Sequence, residues 1–382
     1  MTKTQSKAAK ATAQRKIVES IARHTAWLHR AATAQVNDLT EIIDKSGGTL
    51  ARLLNDRLDN LTPAELKAFS QGKYTTSRLK GLRKEMDAWA KALTSEVTQA
   101  SFEGFEKLAG YEASYARETL SGALTDTKLP AAPAAAAAMK AAKDAPVLGQ
   151  MLSDLVSDVT SPVKKRIYST IRQGISEGQT NQQIVRALRG TKALQFKDGV
   201  LQTTRRDAER MVRTCRNHVS NTAMNETYQA LGVEEVVWTS TLDGRTSDVC
   251  ATRDGTRYKV GSNHPTPPAH PNCRSIIAPS LDGDIIGQRP YVRAFEPVGK
   301  IPKGKRPDDM IGQVSAKTTY ADWFGRQPAS FQKEWLGPSR YKLYKKGDYK
   351  LDRFVDPTGK RLTLDELRIK DRETFSEIFG NP

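Results

Sequence analysis

The sequence contains few cysteines and no long apolar run, and each shortage argues against a class of protein. Only 3 of its 382 residues are cysteine, an odd and small number that disfavours a disulfide framework and favours synthesis in a reducing cytoplasm. No stretch of about 18 apolar residues occurs, so we expect no transmembrane helix. The basic N-terminus is not followed by an apolar stretch, so it does not match a secretory signal.

Acidic side chains are outnumbered by basic ones. The chain carries 60 Lys and Arg against 43 Asp and Glu, a formal net charge of +17, which favours an acidic partner such as nucleic acid. The most basic region is 164–216, with 13 Lys or Arg and 4 acids. A solvated surface also explains any single basic run. The candidate contacts to DNA phosphates are Lys164, Lys165, Arg166, Arg205 and Arg206.

Helical periodicity dominates the chain and predicts a mostly helical α+β protein in four segments. Residues 1–128 form a helical module with a basic N-terminal arm. An Ala/Pro-rich linker at 129–146 precedes a helix-rich domain at 147–282, which ends in a small turn-rich β segment, and a mixed extension follows at 283–382. Capping boxes mark the starts of three helices: Thr62 with Glu65, Thr180 with Gln183, and Thr363 with Glu366.

A long helix is predicted over 203–232, followed by a strand over 233–241. Cys215 falls on the apolar face of that helix, which predicts a buried core thiol rather than a nucleophile or a ligand. Asn217, Asn221 and Asn225 repeat at intervals of four on the same helix. This row either hydrogen-bonds a neighbouring loop or partner, or forms a solvated polar stripe.

Residues 241–279 contain two of the three cysteines and two of the five histidines. Thiolate sulfur and imidazole nitrogen are ligands that zinc prefers, so Cys250, His264, His270 and Cys273 are candidate zinc ligands. The run His-Pro-Asn-Cys lets His270 and Cys273 face one ion from a single turn. A short segment with few large apolar residues could use a metal as its core.

Other interpretations of the same segment remain open. Zinc sites commonly contain two close cysteine pairs, whereas Ser247 and Ser275 stand near the cysteines here. A disulfide between Cys250 and Cys273 is a weaker alternative to a metal.

A catalytic role is the main functional alternative. A histidine near an Asp-Gly turn on a basic protein could belong to a metal-dependent nuclease. The sequence shows no compact His-Asp-His set, no phosphate-binding glycine loop, no Gly-x-Ser-x-Gly elbow and no His-Glu-x-x-His helix. We therefore predict no enzyme and no catalytic residue, with the nuclease kept as the alternative.

A distinctive order of residues runs from 238 to 274. It consists of Trp238, Asp243, Arg245, Thr246, Cys250, Asp254, Gly255, Pro267, Pro268, His270, Pro271, Cys273 and Arg274. This order resembles the signature of phage head-morphogenesis proteins, the Mu F-like minor head proteins. The resemblance covers roughly 160–280 and includes the preceding helices, which makes 147–282 the Mu F-like domain. The stretch 320–367 also looks like a tail found in such proteins.

The resemblance implies a minor, structural component of the phage head that acts in capsid assembly. It implies association with the portal protein and with capsid or scaffold components, a role in DNA packaging or delivery, and a location in the virion, inside the head or at the portal vertex. The basic surface fits non-specific contact with genomic DNA. The residues of the structural motif would be Trp238, Asp243, Arg245, Thr246, Asp254, Gly255, Pro268 and Arg274.

The resemblance also bears on the metal. Many such proteins carry additional cysteines where this chain has Ser247 and Ser275. A four-thiolate site in those proteins cannot be the same here, which leaves Cys250, His270 and Cys273, with His264 as a candidate fourth ligand and zinc as the expected ion.

Overall fold

The computed structural model describes residues 7–124, 128–280 and 287–380. Helices account for 64% and strands for 8% of it, so the predicted mostly helical α+β class is confirmed. Residues 1–6 of the predicted basic arm lie outside the described residues, and the first helix begins at Lys7. None of the described helices is long and apolar enough to cross a membrane.

The described residues form 14 α-helices and six strands. The helices are α1 (Lys7–Leu58), α2 (Pro63–Ser70), α3 (Ser77–Ala123), α4 (Ala135–Asp144), α5 (Leu152–Thr160), α6 (Val163–Ser176), α7 (Asn181–Arg189), α8 (Leu201–Ala230), α9 (Asp248–Arg253), α10 (Tyr320–Gly325), α11 (Ala329–Leu336), α12 (Pro338–Lys346), α13 (Leu364–Lys370) and α14 (Arg372–Phe379). The strands are β1 (Glu235–Thr239), β2 (Leu242–Asp243), β3 (Arg257–Lys259), β4 (Ile276–Ser280), β5 (Gln288–Val292) and β6 (Ile311–Ser315).

The chain divides into two compact units. The first combines Met1–Leu28, Gly110–Ala138 and Ser220–Pro382, and the second combines His29–Ala109 and Met139–Val219. These boundaries differ from those of the four predicted segments, because α1, α3 and α8 each contribute residues to both units. Periodicity locates a helix along the chain, but it does not tell which part of the helix packs against which neighbour.

The second unit is helical and is held by aromatic and polar contacts. Phe69 of α2 stacks on Tyr168 of α6 with ring centroids 5.9 Å apart. Trp89 Nε1 of α3 donates to the Ser46 carbonyl of α1 at 2.8 Å. The predicted capping box of α2 is present, since the Thr62 side chain accepts from the Glu65 N–H and the Glu65 carboxylate accepts from the Thr62 N–H.

Two three-stranded sheets lie in the first unit. Strand β1 is central in the order β3-β1-β4 and pairs antiparallel with both neighbours. In the second sheet, of order β2-β5-β6, β2 and β5 are parallel whereas β5 and β6 are antiparallel. Strand β1 is buried through its middle because α1, α3 and α8 contribute Ile17, Leu120 and Tyr228 to the core cluster that contains Val236 and Ile277.

The C-terminal part of the first unit has a largely aromatic core. This core also contains Leu242 of β2 and Ala251 of α9, so the extension packs directly on the turn-rich segment. Burying several large aromatic side chains in one cluster gives a small set of short helices enough apolar contact to be stable. Its buried aromatic members are Tyr320, Trp323, Phe324, Phe331, Trp335, Tyr349 and Phe354.

The Ala/Pro-rich stretch contains a packed helix, which differs from the predicted linker. Ala138, Met139 and Ala142 of α4 are buried, and the His218 ring donates from Nε2 to the Ala142 carbonyl at 2.9 Å. Alanine side chains are small enough for a neighbouring backbone to approach closely. A helix without a large apolar face can therefore still pack.

The long helix α8 places Cys215 in the core, as predicted. Its side chain is fully buried, and burial raises the pKa of the thiol to about 12. Asn221 Oδ1 accepts from the Ile277 N–H of β4 at 2.8 Å. Asn217 and Asn221 are both buried, so the alternative of a solvated polar stripe is wrong for these two residues.

Candidate metal centre

A tight turn brings His270 and Cys273 together. The Cys273 N–H donates to the His270 carbonyl at 3.1 Å, and Asn272 adopts a left-handed conformation with φ of 60°. Proline followed by a residue with positive φ is the pattern of a type II turn, and asparagine is one of the few non-glycine residues that tolerates it. The run His-Pro-Asn-Cys thus forms the turn that the sequence predicted.

Helix α9 supplies the third side chain of the cluster. Cys250 Sγ lies 3.3 Å from His270 Nε2 and 3.5 Å from Cys273 Sγ, and the three ligand atoms all lie within 4.8 Å of one another. A tetrahedral zinc ion would separate two sulfur ligands by about 3.8 Å and a sulfur and a nitrogen ligand by about 3.6 Å. The cluster therefore has the donor types and nearly the spacing that zinc needs.

The orientation of His270 suits a ligand. Its Nδ1 lies 2.8 Å from the Pro271 carbonyl, and since a carbonyl only accepts, Nδ1 carries the proton. Nε2, the nitrogen that faces Cys250, is then unprotonated in the neutral ring. Metal-bound histidines commonly have this arrangement, in which a hydrogen bond at one ring nitrogen fixes the tautomer at the other.

The two thiols differ in acidity. The hydrogen bond with Cys250 holds the pKa of Cys273 well below its usual range, and His270 adds to this effect against the cost of burial. The same bond, together with burial, raises the pKa of Cys250. The bond between the two sulfur atoms thus favours loss of a proton from the pair, and a dication would favour two thiolates.

Serine hydroxyls surround the Cys250 sulfur at the positions where the resemblance places additional cysteines. Ser247 and Ser275 both act to lower the pKa of Cys250, although the net shift is upward. Ser247 Oγ is buried, and apart from the Cys250 sulfur the described residues offer it no partner. A buried hydroxyl normally takes part in a hydrogen bond, so a metal-bound water at the cluster would be a suitable partner. The donor set of the cluster fits zinc with three protein ligands.

Trp238 of β1 and Ser240, which directly follows β1, hold Cys250 in place. The Trp238 indole is fully buried in one cluster with Cys250 and Cys273, and its Nε1 donates to Ser240 Oγ at 3.0 Å. Ser240 Oγ in turn donates to the Cys250 carbonyl at 2.8 Å. Ser240 was not among the predicted residues.

His264 does not join the cluster, which corrects the expectation of a fourth ligand. Its ring stacks on Tyr258 with centroids 4.8 Å apart, and its Nδ1 donates to the Pro265 carbonyl at 3.0 Å. In the described parts of the chain, the cluster that could hold a metal consists of Cys250, His270 and Cys273. Spacing in sequence did not reveal that an aromatic neighbour would hold the ring elsewhere.

Three residues of the predicted motif converge on the carboxylate of a fourth, Asp243. Asp243 accepts from the Arg245 N–H at 3.0 Å and from the Thr246 hydroxyl at 3.2 Å. Arg274 binds the same carboxylate through both terminal nitrogens. Burial would raise the pKa of Asp243, but the hydrogen bonds and charge of Arg274 outweigh it, so the pKa is lowered. The carboxylate is thereby committed to structural contacts.

Asp254 has a similar role on the other side of α9. Its carboxylate accepts from the Ser240 N–H at 2.7 Å, from the Tyr320 N–H at 2.6 Å and from Arg289 at 2.9 Å. Gly255 follows with φ of 83°, a left-handed conformation that glycine adopts without steric cost. Its N–H donates to the Trp238 carbonyl at 2.9 Å. Pro268, the remaining motif residue, is buried in the turn-rich segment.

Sequence reasoning missed the residues that connect the extension to the motif. Tyr320 donates its hydroxyl to the Asp243 carbonyl at 2.9 Å, and Trp335 donates from Nε1 to the Thr246 carbonyl at 3.1 Å. Arg361 binds the Asp248 carboxylate through Nε at 2.8 Å. No local pattern signals these contacts, because the partners lie 77, 89 and 113 residues apart along the chain.

The candidate DNA contacts fall into two groups. Lys165 and Arg206 are exposed, whereas Lys164 pairs with Asp87 at 2.8 Å and Arg166 with Asp207 at 3.4 Å. Arg205 is buried, pairs with Asp44 and donates to the Phe196 carbonyl. Arg205 therefore stabilises the second unit and is not available to phosphate, which corrects its predicted role.

The Cys/His cluster thus lies in a turn-rich segment that follows the long helix α8 and the strand β1. A family model described as phage Mu protein F like protein matches residues 165–278, which confirms the resemblance. Residues 165–278 are thus similar to phage Mu protein F like proteins. No curated protein and no solved structure matches the chain.

Proposed function

We propose that this protein is a minor head protein of a phage, with a structural role in capsid assembly. In this role it binds the portal protein at the portal vertex or inside the head, and it contacts the packaged DNA without sequence specificity. The family match supports the head-morphogenesis part of this proposal.

One observation carries the structural role. The charged motif residues bind each other and the backbone, as the contacts of Asp243 and Asp254 show. A general base must be free to reach the proton that it abstracts, and a buried carboxylate that already binds one or two arginines is not. The motif therefore supports a stable, turn-rich surface rather than a reaction.

Particle composition tests the proposal. Quantitative mass spectrometry of purified particles should find the protein at a lower copy number than the major capsid protein, and purified portal should retain it in a pull-down. Its absence from particles would contradict the proposal. Cleavage of plasmid DNA with Mg²⁺ or Mn²⁺ that disappears in His270→Ala would instead support the nuclease.

DNA contact by the second unit is supported by Lys165 and Arg206, which are exposed on α6 and α8. Lysine and arginine contacts to phosphate release counterions, so binding weakens as salt rises. Arg206→Gln should reduce the magnitude of the negative slope of log K against log salt by about 1 and leave stability unchanged. Arg205→Gln is the matched control, because it removes the same charge at the neighbouring position. It should lower stability through the loss of the Asp44 pair. Equal slopes for Arg206→Gln and the unaltered protein would contradict this contact.

We also propose that zinc binds Cys250, His270 and Cys273. The short distances among their ligand atoms and the fixed tautomer of His270 support it. When bound, zinc would connect α9 to the turn before β4 and stabilise the segment. A solvent molecule would complete the four ligands that zinc usually takes.

A further inference from the structure

A second basic element lies outside the part of the chain that matches the family model. Strands β5 and β6 are joined by a long connection, and its residues 297–306 read Pro-Val-Gly-Lys-Ile-Pro-Lys-Gly-Lys-Arg. This stretch, here named the Pro-Gly-Lys loop, contains four cations and no acid. It consists of two tandem copies of a five-residue unit, Pro-x-Gly-Lys-x.

The two copies also fold alike. A 3₁₀ turn spans Val298–Lys300 in the first copy and Lys303–Lys305 in the second. The proline before each turn has nearly the same backbone angles, φ −56° and ψ 133° for Pro297, and φ −55° and ψ 139° for Pro302.

The hydrogen bonds of the two turns repeat as well. The Lys300 N–H donates to the Pro297 carbonyl at 2.8 Å, and the Lys305 N–H donates to the Pro302 carbonyl at 2.9 Å. The repeat in sequence is therefore a repeat in geometry, so the side chains of Lys300 and Lys305 are attached at equivalent positions of the two turns.

The lysines of this loop are exposed, and none of the described carboxylates pairs with them. Lys300, Lys303 and Lys305 are exposed, and within the described residues these three ammonium groups form no ion pair. Arg306 differs, because its Nε donates to the Ile301 carbonyl at 2.9 Å and so closes the loop. The nearby Asp309 is paired with Arg293.

The shape of the loop suits a polymer of phosphates. Proline fixes φ at the start of each turn, so ordering the loop on a ligand costs little entropy. A Cβ atom added at Gly299 or Gly304 would meet nothing within 4 Å, so a ligand backbone can approach both positions closely. The loop exposes no aromatic side chain of the kind that anchors protein partners. A repeated cationic unit matches a ligand that repeats its own charge.

We propose that the Pro-Gly-Lys loop binds the phosphate backbone of double-stranded DNA, independently of sequence, through Lys300, Lys303 and Lys305. This inference rests on the proposed function, in which the protein contacts packaged DNA, but not on the particular residues proposed for the second unit. It assigns a separate set of residues, all outside the segment that matches the family model.

The salt dependence of DNA binding by the full chain tests the inference. Fluorescence anisotropy with a labelled duplex gives the slope of log K against log salt for each variant. The triple variant Lys300→Gln/Lys303→Gln/Lys305→Gln should reduce the magnitude of this negative slope by about 2 to 3, since each phosphate contact contributes about 0.9. Lys300→Gln and Lys305→Gln alone should each lower it by about 1.

A matched triple variant controls for total charge. Lys333, Lys346 and Lys350 are exposed in the same unit, and their replacement by Gln removes the same charge elsewhere. Equal slopes for the two triple variants would overturn the inference, as would binding to an acidic protein but not to the duplex.

Two further comparisons separate this inference from the proposed function. A slope of smaller magnitude in Lys165→Gln/Arg206→Gln, with an unchanged slope in the loop variant, would overturn the proposed DNA contact of the loop. The second unit would then remain as the DNA contact. The reverse result would support the loop and contradict the contact by the second unit. If the unaltered protein does not bind the duplex, both proposals fail.

Discussion

The carboxylate of Asp254 lies 2.9 Å from Nη1 of Arg289, and the two side chains are 0% and 9% exposed. Arg289 also donates to the carbonyls of Ser240 and Thr318. The pair thus connects α9, the end of β1 and the loop before α10. An ion pair with this degree of burial is tolerated because hydrogen bonds satisfy both partners.

Removing the charge of Asp254 should destabilise the first unit. Asp254→Asn keeps the size of the side chain but leaves the buried Arg289 unpaired, so the free energy of unfolding should fall by about 3–5 kcal/mol. Denaturant unfolding measures this change. The control is Glu235→Gln, because the pair of Glu235 with Arg257 is much more exposed and its loss should cost less than about 1 kcal/mol. Similar losses for both variants would contradict a special role for Asp254.

Zinc content should distinguish the two histidines of the turn-rich segment. Protein purified without chelator should contain about one zinc per chain, and His270→Ala or Cys273→Ser should lose it together with thermal stability. His264→Ala should retain the metal, because His264 stacks on Tyr258 away from the cluster. Elemental analysis and thermal unfolding give the two readouts. Less than about a tenth of an equivalent in the unaltered protein would count against zinc.

Glu65 should make the second unit sensitive to acid. The Thr62 N–H and the Thr76 and Arg78 side chains donate to its carboxylate, and these bonds lower its pKa from 4.5 to about 2. Because the folded pKa is depressed, the stabilisation is fully present above about pH 4.5 and is lost as the pH falls toward 2. Glu65→Gln should therefore be less stable than the unaltered protein at pH 7, and the difference should vanish near pH 2.

An exposed glutamate provides the comparison for Glu65. Glu96 lies exposed on α3, and Glu96→Gln should change the free energy of unfolding at pH 7 by less than about 0.5 kcal/mol in denaturant unfolding. A gap between Glu65→Gln and the unaltered protein that persists at pH 2 would show that the charge of Glu65 is not responsible.

Local features of the fold followed from the sequence, whereas distant pairings did not. The capping box at Thr62 and the burial of Cys215 depend on residues a few positions apart, so their patterns sufficed. Arg205 and Arg206 have the same side chain and adjacent positions, yet one is buried against Asp44 and the other is exposed. Only the packing of α8 on α1 decides which face of α8 meets the carboxylate of Asp44. The position of His264 also depends on packing, since its ring stacks on Tyr258 of β3 and spacing in sequence does not reveal this contact.

Gly104 on α3 should resist replacement by alanine although alanine favours helices. A Cβ atom there would lie 2.3 Å from Gln35 Nε2. Gln35 is buried, donates to the Ser101 carbonyl at 3.1 Å and accepts from Arg216 at 2.8 Å, so it cannot move without losing these bonds. Gly104→Ala should therefore cost about 1–3 kcal/mol of unfolding free energy. Gly81 on the same helix has open space around it, and Gly81→Ala should stabilise by about 0.5–1 kcal/mol. Denaturant unfolding that gave both variants the same sign would contradict the close approach at Gly104.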